Sequence, residues 1–91
     1  MHFVIYCLDD PATPQARDQY YAAHRAYLSS APIPIVAAGP LTDTRGERRI
    51  GSMLLVEARD LEEACAFGHG DPFYINKVWK DMNVHPFIKA I

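Results

Sequence analysis

Two prolines in the short run Ala31-Pro-Ile-Pro34 limit this chain more than any other stretch of it. Each lacks an amide donor and pushes the preceding residue out of the helical region, so no helix passes through them. The residues before the break carry helical periodicity, and the run Ile33 to Ala38 after it is β-branched and apolar. The break therefore divides a helix from a strand. A strand that starts at Pro34 cannot complete a ladder on both sides, which places it at a sheet edge or makes Pro34 a strand start. Gly39-Pro40 is expected to close it.

The helix before the break contains Arg17-Asp-Gln-Tyr-Tyr-Ala-Ala-His24-Arg-Ala-Tyr-Leu28. Ala16, Tyr20, Ala23 and Tyr27 follow helical spacing and are expected to share the buried face. Arg17, Tyr21, His24 and Leu28 form the adjoining row, which puts His24 at the border of core and solvent. An imidazole there changes charge near neutral pH with small changes of surroundings. Thr13 fits an N-cap and Pro14 a first helical residue, and the helix is expected to end near Ser29 or Ser30.

On the other side of this helix lies the opening run His2 to Leu8, aromatic and β-branched, which reads as a largely buried strand. After the break, Thr42 to Arg48 is a polar connection containing Gly46, and Arg49 to Glu57 is a third strand. Ile50, Ser52, Leu54 and Val56 point to one face, and Gly51, Met53, Leu55 and Glu57 to the other. Gly51 inside a strand marks a bulge or a close backbone approach. Asp60 with Glu63 three residues on matches a helix start, with Leu61, Ala64 and Cys65 expected inward. Gly68-His-Gly70 ends that helix, and Asp71-Pro72 caps a short turn from Phe73 to Val78. The tail from Trp79 is extended, with Met82, Val84 and Ile88 sharing a face.

The order strand, helix, strand, strand, helix, strand is that of a ferredoxin-like βαββαβ fold. That is an α+β architecture: a four-stranded antiparallel sheet with both helices on one face and a short extra helical turn before the last strand. The uncovered sheet face is then apolar, which predicts self-association as a homodimer or higher homo-oligomer. With 91 residues the chain makes one domain over residues 1–91, burying about 60–65% of its unfolded surface.

The net charge of −2 lacks the basic footprint of a phosphate-backbone binder, so no nucleic-acid partner is expected. Arg45, Arg48 and Arg49 read as a solvated loop. No apolar run approaches the roughly 18 residues of a membrane span, and no signal-peptide pattern is visible, so a cytoplasmic location is expected. Cys7 and Cys65 sit in separate apolar elements and read as reduced thiols. No Gly-rich phosphate loop or nucleophile elbow occurs, and His69 with Asp71 lacks the further ligands of a metal site. Neither cofactor nor metal is expected.

For chemistry, a base poised near neutral pH gains from an acid that fixes its tautomer. His24 with Asp71 is the best such pair in the sequence. Each has a plain structural reading too: a border histidine, and an Asp-Pro helix cap.

The chain resembles the YCII-related (YciI-like) family, of the dimeric α+β barrel superfamily. The resemblance covers nearly its whole length. It rests on Phe3-Val-Ile-Tyr6, on Arg17 followed seven residues later by His24, and on Ala38-Gly-Pro-Leu41. Gly51-Ser52, Leu61-Glu-Glu-Ala64, Asp71-Pro-Phe73 and Val84-His-Pro-Phe87 continue it. The family's pattern has a glycine turn where Ala31-Pro-Ile-Pro34 stands here. The resemblance implies a site centred on His24 and Asp71, acting as a general acid–base dyad. It also implies elimination or isomerisation on a small ring compound, such as loss of HCl from chlorinated hydroxyaromatics. Arg17 is a candidate to meet a substrate carboxylate or phenolate, with a surface role as its other reading. Ser52 and Tyr6 are candidate contacts from the sheet floor if their faces turn towards the first helix, and Tyr6 is otherwise a core aromatic. The alternative is a dimeric module that binds or senses a small ligand without turnover.

Overall fold

The hydrogen-bonded ladders run β2-β3-β1-β4, all antiparallel. The strands are β1 (His2–Asp9), β2 (Ile35–Thr42), β3 (Arg49–Glu57) and β4 (Trp79–Phe87). Helix α1 (Ala16–Ser29) links β1 to β2, and α2 (Leu61–His69) with the single turn α3 (Pro72–Ile75) links β3 to β4. This computed structural model describes Met1 to Ile91 and has the βαββαβ order of a ferredoxin-like fold. No helix is long and apolar enough to cross a membrane.

Strand parity builds the core. Phe3, Ile5 and Cys7 alternate with Val4, Tyr6 and Leu8, and only the first three are fully buried. On β3, Ser52, Leu54 and Val56 point to the same side, and Ala64, Phe67 and Phe73 close over them from the helices. All the helices therefore cover one sheet face. The other carries Val4, Tyr6, Leu8, Met53 and Leu55, with Tyr6 43% exposed.

Several boundaries differ from the sequence reading. Helix α1 begins at Ala16, because Thr13-Pro14 is spent in a turn closed by the Ala16 amide on the Thr13 carbonyl. Its cap residue Gln15 makes no side-chain bond to the helix. Ala23 is exposed, and the buried positions of α1 are Arg17 and His24. The stripe is rotated towards its polar row because those side chains find partners inside. Strand β2 continues through Gly39-Pro40 to Thr42. As an edge strand it pairs only with β3, so the missing Pro40 donor breaks no second ladder. Leu61 is 44% exposed, and Phe67 and Gly68 take the inward positions with Ala64. Ile88 lies beyond the end of β4 and is exposed.

Gly51 marks a close backbone approach: a Cβ there would collide with the Cys7 carbonyl of β1. Both cysteines are free. Burial, reinforced by the nearby carboxylates Asp71 and Asp9, pushes the Cys7 thiol up to about 12. It is no candidate thiolate at neutral pH.

Candidate active site

Helix α1 supplies two groups two turns apart on one face, Arg17 and His24, and both point under the helix towards the sheet. Arg17 Nε–H donates to Asp9 Oδ2 at 2.7 Å, and Nη2–H donates to Asp9 Oδ1 at 2.8 Å, the Gly51 carbonyl at 2.7 Å and Ser52 Oγ at 2.9 Å. One guanidinium thus ties the end of β1 and the start of β3 to α1. Its charge is met by Asp9, and its plane lies 4.8 Å from the Phe73 ring centroid. Nη1 makes no bond within the chain.

His24 is fixed on two sides. Its Nδ1 stands 2.8 Å from Asp71 Oδ1 and 3.0 Å from Oδ2. Its ring lies flat on Phe73, 4.0 Å between centroids and 5° between planes, with Trp79 edge-on at 6.1 Å. Such a stack stabilises the ring's orientation by about 0.5–1.5 kcal/mol beyond burial alone. Facing a carboxylate, Nδ1 carries the proton of the neutral ring and Nε2 keeps the lone pair. Nε2 has no partner in the chain, and no fully buried side-chain nitrogen or oxygen is left unpaired. Nε2 therefore faces accessible space.

Asp71 is fully buried between α2 and α3. Its Oδ1 accepts both the Phe73 amide, at 2.8 Å, and His24 Nδ1–H. The cap and the imidazole partner, alternatives in the sequence, are one oxygen. The cap also sets Phe73, the second residue of α3, which forms the floor for His24. A residue of positive φ, Lys77 (φ 57), then swings the chain into β4 and delivers Trp79. Trp79 Nε1–H donates to Ser52 Oγ at 3.2 Å. Ser52 thus accepts from Arg17 and Trp79 together, which leaves its own hydroxyl hydrogen for a third group.

A cavity of about 380 Å³ opens beside these groups, bounded by α1 and the β2–β3 edge and reached by His24, Arg17 and Ser52. That is at the small end for ligand sites and suits a single-ring compound. Tyr21, Arg25 and Arg49 stand at its rim. Arg25 Nη1–H donates to the Tyr21 hydroxyl at 3.1 Å. That bond and the Arg25 charge, with a smaller contribution from Arg49, hold the Tyr21 phenol below its usual range. No three His, Cys, Asp or Glu side chains converge anywhere in the chain.

Four of the five residues singled out from sequence, His24, Asp71, Arg17 and Ser52, come together here. Tyr6 does not. Its neighbours Ile5 and Cys7 face the helices, so strand alternation turns Tyr6 to the opposite sheet face. Arg49, read as part of a solvated loop, opens β3 and lines the cavity. Phe73 and Trp79 were legible only as a helical residue and a strand start, and Asp9 falls one residue past the opening run His2 to Leu8.

The fold has counterparts among known proteins. The family model for the YCII-related domain matches residues 1–88. The chain belongs to that family. Among solved structures, it is similar to the 5-chloro-2-hydroxyhydroquinone dehydrochlorinase TftG of Burkholderia phenoliruptrix AC1100, in complex with 2,5-dihydroxybenzoquinone. The two superpose with a TM-score of 0.84 at 34% identity, over 97% of this chain and 94% of that one. No curated protein matches the chain.

Proposed function

We propose that this YCII-family protein is a small enzyme of lyase or isomerase type that moves protons on a hydroxylated ring compound. The observation that carries the reading is the His24 imidazole, held through Nδ1 by a buried carboxylate while Nε2 is left free beside a ring-sized cavity. His24 Nε2 takes a proton from a ring hydroxyl or ring carbon. Asp71 keeps the tautomer and stabilises the imidazolium that forms. In an elimination, the electron pair released by that proton is carried through the ring and a halide departs with its bonding pair. The net loss is HX, and no oxidant is consumed. In an isomerisation the same imidazolium returns the proton at another ring position.

Arg17 and Ser52 serve as positioning and contact groups. The Ser52 hydroxyl has a hydrogen to give to a substrate oxygen, and Arg17 lines the cavity with Nη1 left without a partner in the chain. The similarity to a ring dehydrochlorinase supports this reaction class. In the same reading a second copy of the chain covers the open face around Val4, Tyr6, Met53 and Leu55.

The test is His24→Gln, assayed for halide release and for proton exchange on chlorinated and plain hydroxyquinols. Turnover is expected to fall by about 10²–10⁴-fold. Circular dichroism and sedimentation should report the same fold and a two-chain particle for wild type and variant alike. Saturable ligand binding without product in the wild type would instead favour a binding module.

A further inference from the structure

We infer that Tyr21, Arg25 and Arg49 form a carboxylate-recognition site at the cavity mouth, so that the substrate is a single-ring compound bearing a carboxylate. The inference rests on this cavity being the substrate site. Its first support is charge. The charged side chains lining the cavity are Arg17, Arg25 and Arg49, and no aspartate or glutamate is among them. That bias stands out in a chain of net charge −2.

The second support is which of these charges is already met. Arg17 is bound through two nitrogens to Asp9, so its attraction for a further anion is largely cancelled. On the surface, Arg45 pairs with Glu47 and Arg59 with Glu63. Arg25 and Arg49 have no acidic partner within 4.0 Å. Their guanidinium carbons each lie 5.9 Å from the Tyr21 ring centroid, so two cations without an acidic partner gather at one phenol. Planar guanidiniums match a carboxylate's two oxygens, and the phenol hydroxyl adds a third donor.

The third support is register. Tyr21 stands three residues before His24 and four before Arg25, so it neighbours both on the helix surface, with side-chain roots about 5–6 Å apart. An anion held at Tyr21 and Arg25 leaves the attached ring one helical step away, alongside His24 Nε2. Recognition thus passes from Arg17, which pins α1 to the sheet, to the rim. Exposed cations at a narrow mouth also steer an anionic substrate inwards, and salt weakens that effect.

The experiment compares two probes on one ring, 2,5-dihydroxybenzoate and hydroquinone, by calorimetric titration of the intact protein. The carboxylate compound is expected to bind about tenfold more tightly or better, a preference that shrinks as salt is raised. Arg25→Gln and Arg49→Gln should each remove most of it and leave hydroquinone affinity unchanged. Both side chains are exposed, so both variants are expected to fold. Equal affinities, binding of neither probe, or equal weakening of both by the arginine variants would overturn the inference. His24→Gln separates this from the catalytic reading. Carboxylate preference that survives in a protein with no turnover sinks the chemistry alone, and turnover of uncharged rings without the preference sinks the recognition alone.

Discussion

The two long helices meet the same sheet in opposite ways. Helix α2 lies directly on β1 and β4, and its inward residues Ala64 and Gly68 are small enough to allow it. A Cβ on Gly68 would stand 2.7 Å from Met82 Sδ. Helix α1 leans chiefly on α3 and keeps its distance from the strands. Arg17 and His24 span that gap, and what they do not fill is the cavity. The lesson is about side-chain size and pairing. A helix seated on small residues yields dry core. A helix held off by long polar groups yields a space lined with them, provided each buried polar group finds a partner.

The largest effect is expected where the α1 side depends on one oxygen. Asp71→Asn keeps an acceptor for the Phe73 amide, so the cap and the fold should survive. It also offers His24 an amide in place of a carboxylate, so turnover should drop by about 10²–10⁴-fold. Asp71→Ala should lose the same activity and about 0.5–2 kcal/mol of stability besides. Kinetics and urea midpoints on the two variants separate the roles. If Asp71→Asn turns over like wild type, or if it is as unstable as Asp71→Ala, the division of labour is wrong.

The α2 side is tested by bulk. Gly68→Leu drives a branched side chain against Met82 and Ile5 and is expected to destabilise by about 1–3 kcal/mol. Gly68→Ala should be nearly neutral, because better helix propensity offsets a push on the flexible end of Met82. Ala23→Leu, on the exposed side of α1, should move stability by less than about 0.5 kcal/mol. A urea midpoint for Gly68→Leu equal to wild type would mean that α2 is not closely seated.

The same contrast explains what the sequence made legible. Strand β3 follows its side-chain alternation from Arg49 to Glu57, and the cap at Asp60 holds the Glu63 amide at 2.9 Å. Apolar periodicity locates elements well where packing is apolar. On α1 it found Ala16, Tyr20 and Tyr27, which pack against the core, but it counted the exposed Ala23 and left Arg17 and His24 at the border, while Asp9 and Asp71 wait at the two places those side chains reach. Spacing cannot show such partners: Asp71 is 47 residues from His24. Asp9 was nearer to being readable, since the end of a strand and the first turn of the next helix are close neighbours in a β-turn-α unit. Arg49 read as part of a solvated loop and Arg25 carried no reading of its own, and only the fold brings them to one phenol.

An effect smaller than that of Gly68→Leu is expected where the two helices touch. Tyr27 of α1 donates its hydroxyl to the Phe67 carbonyl of α2 at 2.8 Å, and the two rings stack at 5.0 Å. Tyr27→Phe keeps the stack and removes the bond, which should cost about 0.5–1.5 kcal/mol near neutral pH and leave turnover almost unchanged. Burial, and secondarily the charge of Asp71, raises the Tyr27 phenol above its ordinary 10.0. Above that ordinary value the unfolded chain releases the proton while the folded one retains it, so stability falls as pH rises. The Tyr27 contribution is therefore complete below pH 10.0 and is lost as pH passes through the raised folded value. Cys7 acts in the same sense between 9.0 and about 12. Only the difference between wild type and Tyr27→Phe isolates the tyrosine. That difference in urea midpoint should shrink above pH 10.0. A gap that stays constant through the alkaline range would mean the hydroxyl does not join α1 to α2.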